Sequence, residues 1–144
     1  MAWREGPGSC AAQVVVKADF LLRALESVYA EVAAAMPLQG LTSQYRATSS
    51  HEVKPGQTAL MHAGAGGLGL LLTQIIKHLG GNVISTVSTE EKAELARKAR
   101  ADDAFLYGVG VDITAKVKEL TDGEGVDVAY DGVGNAALGH YRHC

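Results

Sequence analysis

The chemistry of this chain concentrates in Gly64-Ala65-Gly66-Gly67-Leu68-Gly69, which fits the spacing G-x-G-x-x-G. In a chain with 17 glycines the pattern alone says little. Its flanks say more. Thr58 to Ala63 reads as a buried strand. Leu68 to Leu79 reads as a helix whose apolar residues, at 68, 71, 72, 75, 76 and 79, share one face. Strand, glycine turn and helix together can receive a pyrophosphate on free backbone N–H groups at the positive end of the helix dipole. Gly64 is expected to permit the tight turn. Gly66, lacking a Cβ, would let the backbone approach the phosphates, and Gly69 would let the helix pack close to the strand. The N–H groups of Gly67 and Leu68 would face the ligand. The alternative is a glycine-rich turn that binds nothing.

A second group of residues bears on which nucleotide would bind. A site that prefers NAD carries Asp or Glu about 20 residues downstream, at the end of the second strand, to hold the ribose 2′-OH. Here that strand ends Thr86-Val87-Ser88, and Glu90 and Glu91 lie beyond it, in the next helix. Ser88 and Thr89 offer hydroxyls, and Lys92 can reach back toward a 2′-phosphate, which an acid would repel. NADPH is therefore expected over NADH. The competing reading of Lys92 is a solvated surface lysine. Tyr107, at the end of the third strand, can flank the adenine ribose or simply cover the core.

Other chemistry finds little support. Cys10 and Cys144 form no C-x-x-C pair and no Cys/His cluster at metal spacing, so no metal site is expected and both thiols read as free. His62 reads as structural and His78 as solvent-facing. His140 and His143 lack a third ligand. No catalytic residue can be named. The net charge of -3 has both signs scattered along the chain, giving no basic patch for nucleic acid. The first residues carry no apolar signal region, and Leu68 to Leu79 is too short and too polar on one side to span a bilayer. A cytoplasmic location with no membrane association is the expectation.

These residues need elements to hold them. Val14-Val15-Val16 reads as a strand. Residues 20 to 36 read as a helix that Pro37 interrupts, and Gln39 to Thr48 as a second helix. Lys54-Pro55-Gly56 makes a turn. After the first glycine-linked helix, Gly80-Gly81 stops the chain's helical course, and Val83 to Val87 forms a second strand. Ser88 and Glu91 match a capping box for a helix through Arg100. Ala104 to Tyr107 is a third strand, Asp112 caps a helix through Leu120, and Val126 to Tyr130 is a fourth strand. Alternating strands and helices imply a parallel sheet in an α/β, partial Rossmann fold with about four strands. A complete sheet of this kind has six. The last strand is then left with an unpaired edge, which invites association: a partner chain, a homo-oligomer among the options, or aggregation is expected.

Several stretches, in order, resemble the quinone oxidoreductase branch of the medium-chain dehydrogenase/reductase superfamily, which includes zeta-crystallin. Gly8-Ser9-Cys10-Ala11 with Val14-Val15-Val16 is similar to the last strand of the family's catalytic domain. Ala33 to Thr42 is similar to the segment joining the two domains. Val53-Lys54-Pro55-Gly56-Gln57-Thr58 precedes the nucleotide loop His62 to Gly69. Thr86 to Lys92 and Gly125 to Gly134 complete the match. Leu25-Glu26-Ser27 and the tail 138–144 depart from the pattern. So does Arg100, which stands where the family ends its second Rossmann helix with glycine.

The resemblance implies residues 1–30 as a remnant of a GroES-like catalytic domain and linker, and 31–144 as an NADP-binding Rossmann domain incomplete at its C-terminus. It implies zinc-independent hydride transfer from NADPH to a quinone or an activated carbonyl or alkene, by a chain that carries only part of the two-walled substrate pocket. It places Thr42 near the nicotinamide half of the cofactor, and Val133 and Gly134 at the end of the fourth strand, where ligands sit in open α/β sheets. Gly66, Gly67 and Leu68 belong to the pyrophosphate, with Gly64 and Gly69 shaping the same cofactor-binding loop, and Ser88, Lys92 and Tyr107 to the 2′-phosphorylated ribose. Thr42 is alternatively a helix threonine bonded to its own backbone. A non-catalytic nucleotide-binding or structural relative is the competing function.

Overall fold

The computed structural model describes residues 2–3, 11–108, 110–132 and 134. The expectations for residues 8–10, Val133, His140, His143, Cys144 and the tail 138–144 lie outside the described residues. Two compact units divide the chain, residues 1–42 and 43–144.

The first unit holds a two-residue antiparallel ladder, β1 (Ala2–Trp3) with β2 (Leu21–Leu22), and most of α1 (Ala30–Tyr45). Val14 to Val16 is not a strand, contrary to the sequence reading: residues 13–17 are irregular and the Val15 side chain is fully exposed. β-branching favours a pleated surface that is half-buried, and three valines without a ladder have none. The helix expected over residues 20–36 begins only at Ala30, because Leu21 and Leu22 are drawn into the ladder. Nor does Pro37 break it. One helix runs from Ala30 to Tyr45 with Pro37 inside, replacing the two that were expected. Proline removes one backbone hydrogen bond, but the strong helix formers Ala33 to Met36 outweigh that bias. A π-helical turn over residues 46–50 follows, closed by His51 N–H donating to the Arg46 carbonyl.

The second unit is the α/β, Rossmann-like sheet. Its strands are β3 (Thr58–His62), β4 (Asn82–Val87), β5 (Asp103–Leu106) and β6 (Val128–Tyr130), all parallel in the order β5-β4-β3-β6. Between them run α2 (Gly67–His78), α3 (Glu90–Lys98) and α4 (Ile113–Leu120). The chain enters β3 through a tight turn, in which Gln57 N–H donates to the Lys54 carbonyl and Gly56 takes φ +85° behind Pro55. Leu72 and Ile76 of α2 and Ala93 and Ala96 of α3 bury against Ala59, Met61, Val83 and Val87 on one sheet face. Ile113 and Val117 of α4 cover Leu60 and Ile84 on the other. Alternate residues of each strand therefore serve different helix layers, as a parallel sheet buried on both faces requires.

Strand order reverses at β3, whose neighbours are β4 on one side and β6 on the other. Such a switch point opens a crevice at the carboxyl ends of the strands, where ligands bind in open α/β sheets. Carboxylates secure the opposite ends. Asp127 accepts from Thr58 N–H at 2.7 Å, and Asp102 accepts from Val83 N–H at 2.8 Å while pairing with Lys77.

Candidate dinucleotide site

The glycine loop runs from the carboxyl end of β3 into α2. Gly66 is the N-cap of α2, in extended conformation, and Leu70 N–H closes the first helical bond onto its carbonyl at 2.9 Å. Gly66 has no side chain to cap the turn, so the first N–H groups of α2 receive no side-chain acceptor there. Gly66 and Gly67 are exposed. That leaves backbone donors and the positive helix end open to an anion.

The three motif glycines do different work. The positive φ of the turn falls on Ala63, at 53°, and not on Gly64. Gly64 lies in the turn without a positive φ. Its requirement is space, since a Cβ there would run into the side chain of Ser85 on β4. Gly69 is as expected: a Cβ would overlap the backbone of Gly64 at 2.6 Å, so α2 can seat against the loop only without one. A Cβ on Gly66 would meet Ala63 O at 3.2 Å, a tight contact but one the fold can nearly absorb. The stronger demand for glycine at 66 would come from a ligand approaching the backbone.

Ser88 and Lys92 come together. Lys92 Nζ donates to Ser88 Oγ at 2.9 Å, and both side chains are exposed beyond the end of β4. Ser88 is not the helix cap that the S-x-x-E spacing predicted. Thr89 is, accepting from Lys92 N–H at 3.3 Å. The cap lies one residue later because β4 keeps its pairing to Val87, which leaves Ser88 as the link between strand and cap. That shift frees the Ser88 hydroxyl for Lys92.

Tyr107 follows β5, its N–H donating to the Val87 carbonyl at 2.9 Å. Its ring reaches across the sheet to His62 at the end of β3, with centroids 4.8 Å apart and planes tilted by 40°. His62 is buried and its Nδ1 is hydrogen-bonded to Thr86 Oγ1 on β4. The sequence marked His62 and Tyr107 separately but not this contact. The signal was available in the period of two: His62 and Thr86 share a face with Leu60 and Ile84, one step further along each strand.

Gly134 lies beyond β6 with φ +82°, and its N–H donates to the Asp131 carboxylate at 3.3 Å. Thr42 is half-buried in α1, in the first unit. A cavity of about 480 Å³ at the other end of the sheet is lined by Asp102, Asp103, Asp122, Glu124 and Asp127. Five carboxylates disfavour a phosphate there, and Asp102 and Asp127 are already bonded to strand amides. That end of the sheet is therefore unsuited to an anion. Among the described residues no cluster of three or more His, Cys, Asp or Glu could hold a metal ion, and no helix is long and apolar enough to cross a membrane.

Comparison with known proteins agrees with this geometry. The zinc-binding dehydrogenase family matches residues 67–143. A 2-haloacrylate reductase of a Burkholderia species is 45% identical over 111 residues, 77% of this chain and 33% of that protein. A quinone oxidoreductase of Pseudomonas aeruginosa is 40% identical over 135 residues, 93% of this chain and 41% of that protein. The crystal structure of Escherichia coli quinone oxidoreductase complexed with NADPH superposes with a TM-score of 0.83 at 38% identity, covering 88% of this chain and 39% of that one. The chain thus spans between a third and about two fifths of the curated relatives it matches. With its parallel sheet and glycine loop, the chain belongs to the zinc-binding dehydrogenase family, and it is similar over part of their length to quinone oxidoreductases of the medium-chain dehydrogenase/reductase superfamily.

Proposed function

We propose that this chain binds NADPH and supplies the cofactor-holding part of a zinc-independent reductase acting on a quinone or an activated carbonyl or alkene. The observation that carries the reading is the pairing of Lys92 Nζ with Ser88 Oγ at 2.9 Å at the tip of β4, where no carboxylate stands. An ammonium with a hydroxyl beside it suits a 2′-phosphate, whereas an acid at that tip would suit a free 2′-OH.

The residues present fit the cofactor. Exposed Gly66 and Gly67 leave room for a pyrophosphate against the start of α2, where the N–H groups of Gly67 and Leu68 would bond it. Gly64 and Gly69 keep the loop tight against β4 and α2. Ser88 and Lys92 would neutralise the 2′-phosphate, and Tyr107 would flank its ribose. Thr42 is assigned to the nicotinamide half by family position, and Gly134 to the cofactor site from its place after the fourth strand. When bound, NADPH supplies the hydride. The chain's own contribution is to bind and orient, holding the reacting carbon within about 3–3.5 Å of an acceptor that the rest of the protein helps to enclose.

The reading is tested by calorimetric titration of the chain with NADPH and NADH. NADPH should bind the more tightly, and Lys92→Glu should weaken it at least about tenfold, since a charge-assisted bond is replaced by repulsion. NADH affinity should change far less. Equal affinity of the parent and Lys92→Glu chains for NADPH would remove the 2′-phosphate assignment.

A further inference from the structure

At the carboxyl end of the sheet, the layer facing α4 changes character. Lower down, Leu60 and Ile84 are buried under Ile113 and Val117. One alternation further along, the same face carries His62 and Thr86, paired in register and hydrogen-bonded side chain to side chain. His62 is 7% exposed and Thr86 is fully buried. A polar pair in a layer that is otherwise apolar costs desolvation, and its mutual bond offsets that cost by fixing one ring orientation.

Tyr107 lies against that fixed ring. It stands one step beyond the Val87–Leu106 pair, and so next to Ser88 across the β4–β5 boundary. Its backbone is tied to Val87, while its ring, from a residue 36% exposed, rests on His62 two strands away. Without that support, an aromatic side chain at an open strand end would sample several rotamers. Thr86, His62 and Tyr107 therefore form a chain of contacts that ends at the place assigned above to the 2′-phosphorylated ribose.

We infer that His62 is a positioning residue for the ribose pocket: clamped by Thr86, it carries the Tyr107 ring and so sets the wall beside Ser88 and Lys92. It acts through Tyr107, not by touching the cofactor. This rests on the NADPH reading, and it assigns a role to a histidine that would otherwise count only as core.

The probe is 2′,5′-ADP, the phosphorylated adenosine half of the cofactor, titrated into the full chain by calorimetry. Tyr107→Leu should weaken binding about fivefold, in the range of an aromatic contact. His62→Leu should weaken it by a similar factor. The double variant should be no more than about twofold weaker than Tyr107→Leu alone, because the two changes break one device. His62→Phe, which keeps a ring but loses the Thr86 clamp, should recover only part of the loss. Additive losses, or unchanged affinity in His62→Leu, overturn the inference. A merely structural histidine would lower stability without this non-additivity.

His62→Leu could fail to fold, and the unmodified chain then decides. Adding 2′,5′-ADP should shift the His62 ring-proton resonances in the parent and leave them unmoved in Tyr107→Leu. A shift that persists without Tyr107 would mean direct contact, and no shift in the parent would mean no linkage. Either result sinks the inference. If the parent binds neither 2′,5′-ADP nor NADPH, the cofactor reading itself is wrong and the inference falls with it. Binding with additive losses overturns the positioning role alone.

Discussion

A Cβ built on Gly69 would come within 2.6 Å of the Gly64 carbonyl oxygen and 2.8 Å of the Gly64 Cα. The obstacle is backbone, so no side chain can turn aside to relieve it. Gly69→Ala must push α2 away from the loop and should destabilise the chain by about 1–3 kcal/mol, the usual cost of overpacking. Gly66→Ala is the contrast. Its new methyl would meet only Ala63 O, at 3.2 Å, so the loss should stay below about 1 kcal/mol. Yet the methyl would stand where a pyrophosphate would approach. Urea denaturation should thus separate the two variants in one direction and NADPH titration in the other. Equal stability losses would mean that the two glycines serve the same purpose.

The start of α3 offers a similar separation between neighbours. Thr89 caps the helix, accepting from Lys92 N–H, while Ser88 accepts from the Lys92 ammonium. Thr89→Ala should cost about 1 kcal/mol of stability, the usual price of a lost N-cap. Asp112→Ala should cost about the same at α4, where Asp112 accepts from Ala115 N–H at 3.0 Å. Ser88→Ala should leave the denaturation midpoint nearly unchanged, because its side chain is exposed and caps nothing. Its effect should appear only in affinity for a 2′-phosphorylated nucleotide. A large stability loss in Ser88→Ala would restore the S-x-x-E capping box that the spacing suggested.

From residue 54 onward the fold was legible because each signal is local and repeated by its neighbours. Apolar period, a turn residue and a cap agree at Pro55-Gly56, at Gly80 and at Asp112. Before residue 54 they conflict. Val14 to Val16 has β propensity but no ladder, and Leu21-Leu22 sits in a helical composition but pairs with β1. Pro37 is a helix breaker by chemistry, yet it is carried inside a helix by its neighbours. In the candidate site, motif spacing found the glycines, and the strand-end position found Ser88, Lys92 and Tyr107. The His62–Tyr107 contact joins residues 45 positions apart at the ends of strands that are not adjacent, so the period of two gives the shared face but not the pairing.

Arg100 shows what the departure from glycine costs. It follows α3 with φ +77°, in the left-handed region, and its N–H donates to the Arg97 carbonyl at 2.8 Å. A side chain at that φ is strained by roughly 1 kcal/mol relative to glycine. Arg100 is exposed, so few contacts oppose its removal. Arg100→Gly should therefore stabilise the chain by up to about 1 kcal/mol, whereas Arg100→Ala should not. A higher denaturation midpoint in the glycine variant alone checks this. Destabilisation by glycine would mean that the arginine side chain does more than occupy a helix end.

Tyr130 ties the edge strand β6 to the turn after α1, its hydroxyl donating to the Arg46 carbonyl at 3.2 Å. Burial lifts its phenol above the ordinary 10.0, and the Arg46 guanidinium pulls it part of the way back. A phenol with a raised folded pKa holds its proton more tightly in the folded chain than in the unfolded one. Its contribution to stability is therefore complete below the unfolded value of about 10 and is lost as pH rises through the folded value. Tyr130→Phe should cost about 1 kcal/mol at pH 7, where the hydrogen bond is intact. Above pH 10 the parent should lose stability faster than the variant, so the gap between them narrows. Urea denaturation of both chains from pH 7 to pH 11 measures that gap. A gap that is constant with pH would mean that the phenol titrates alike in the folded and unfolded chains, and that burial does not hold its proton.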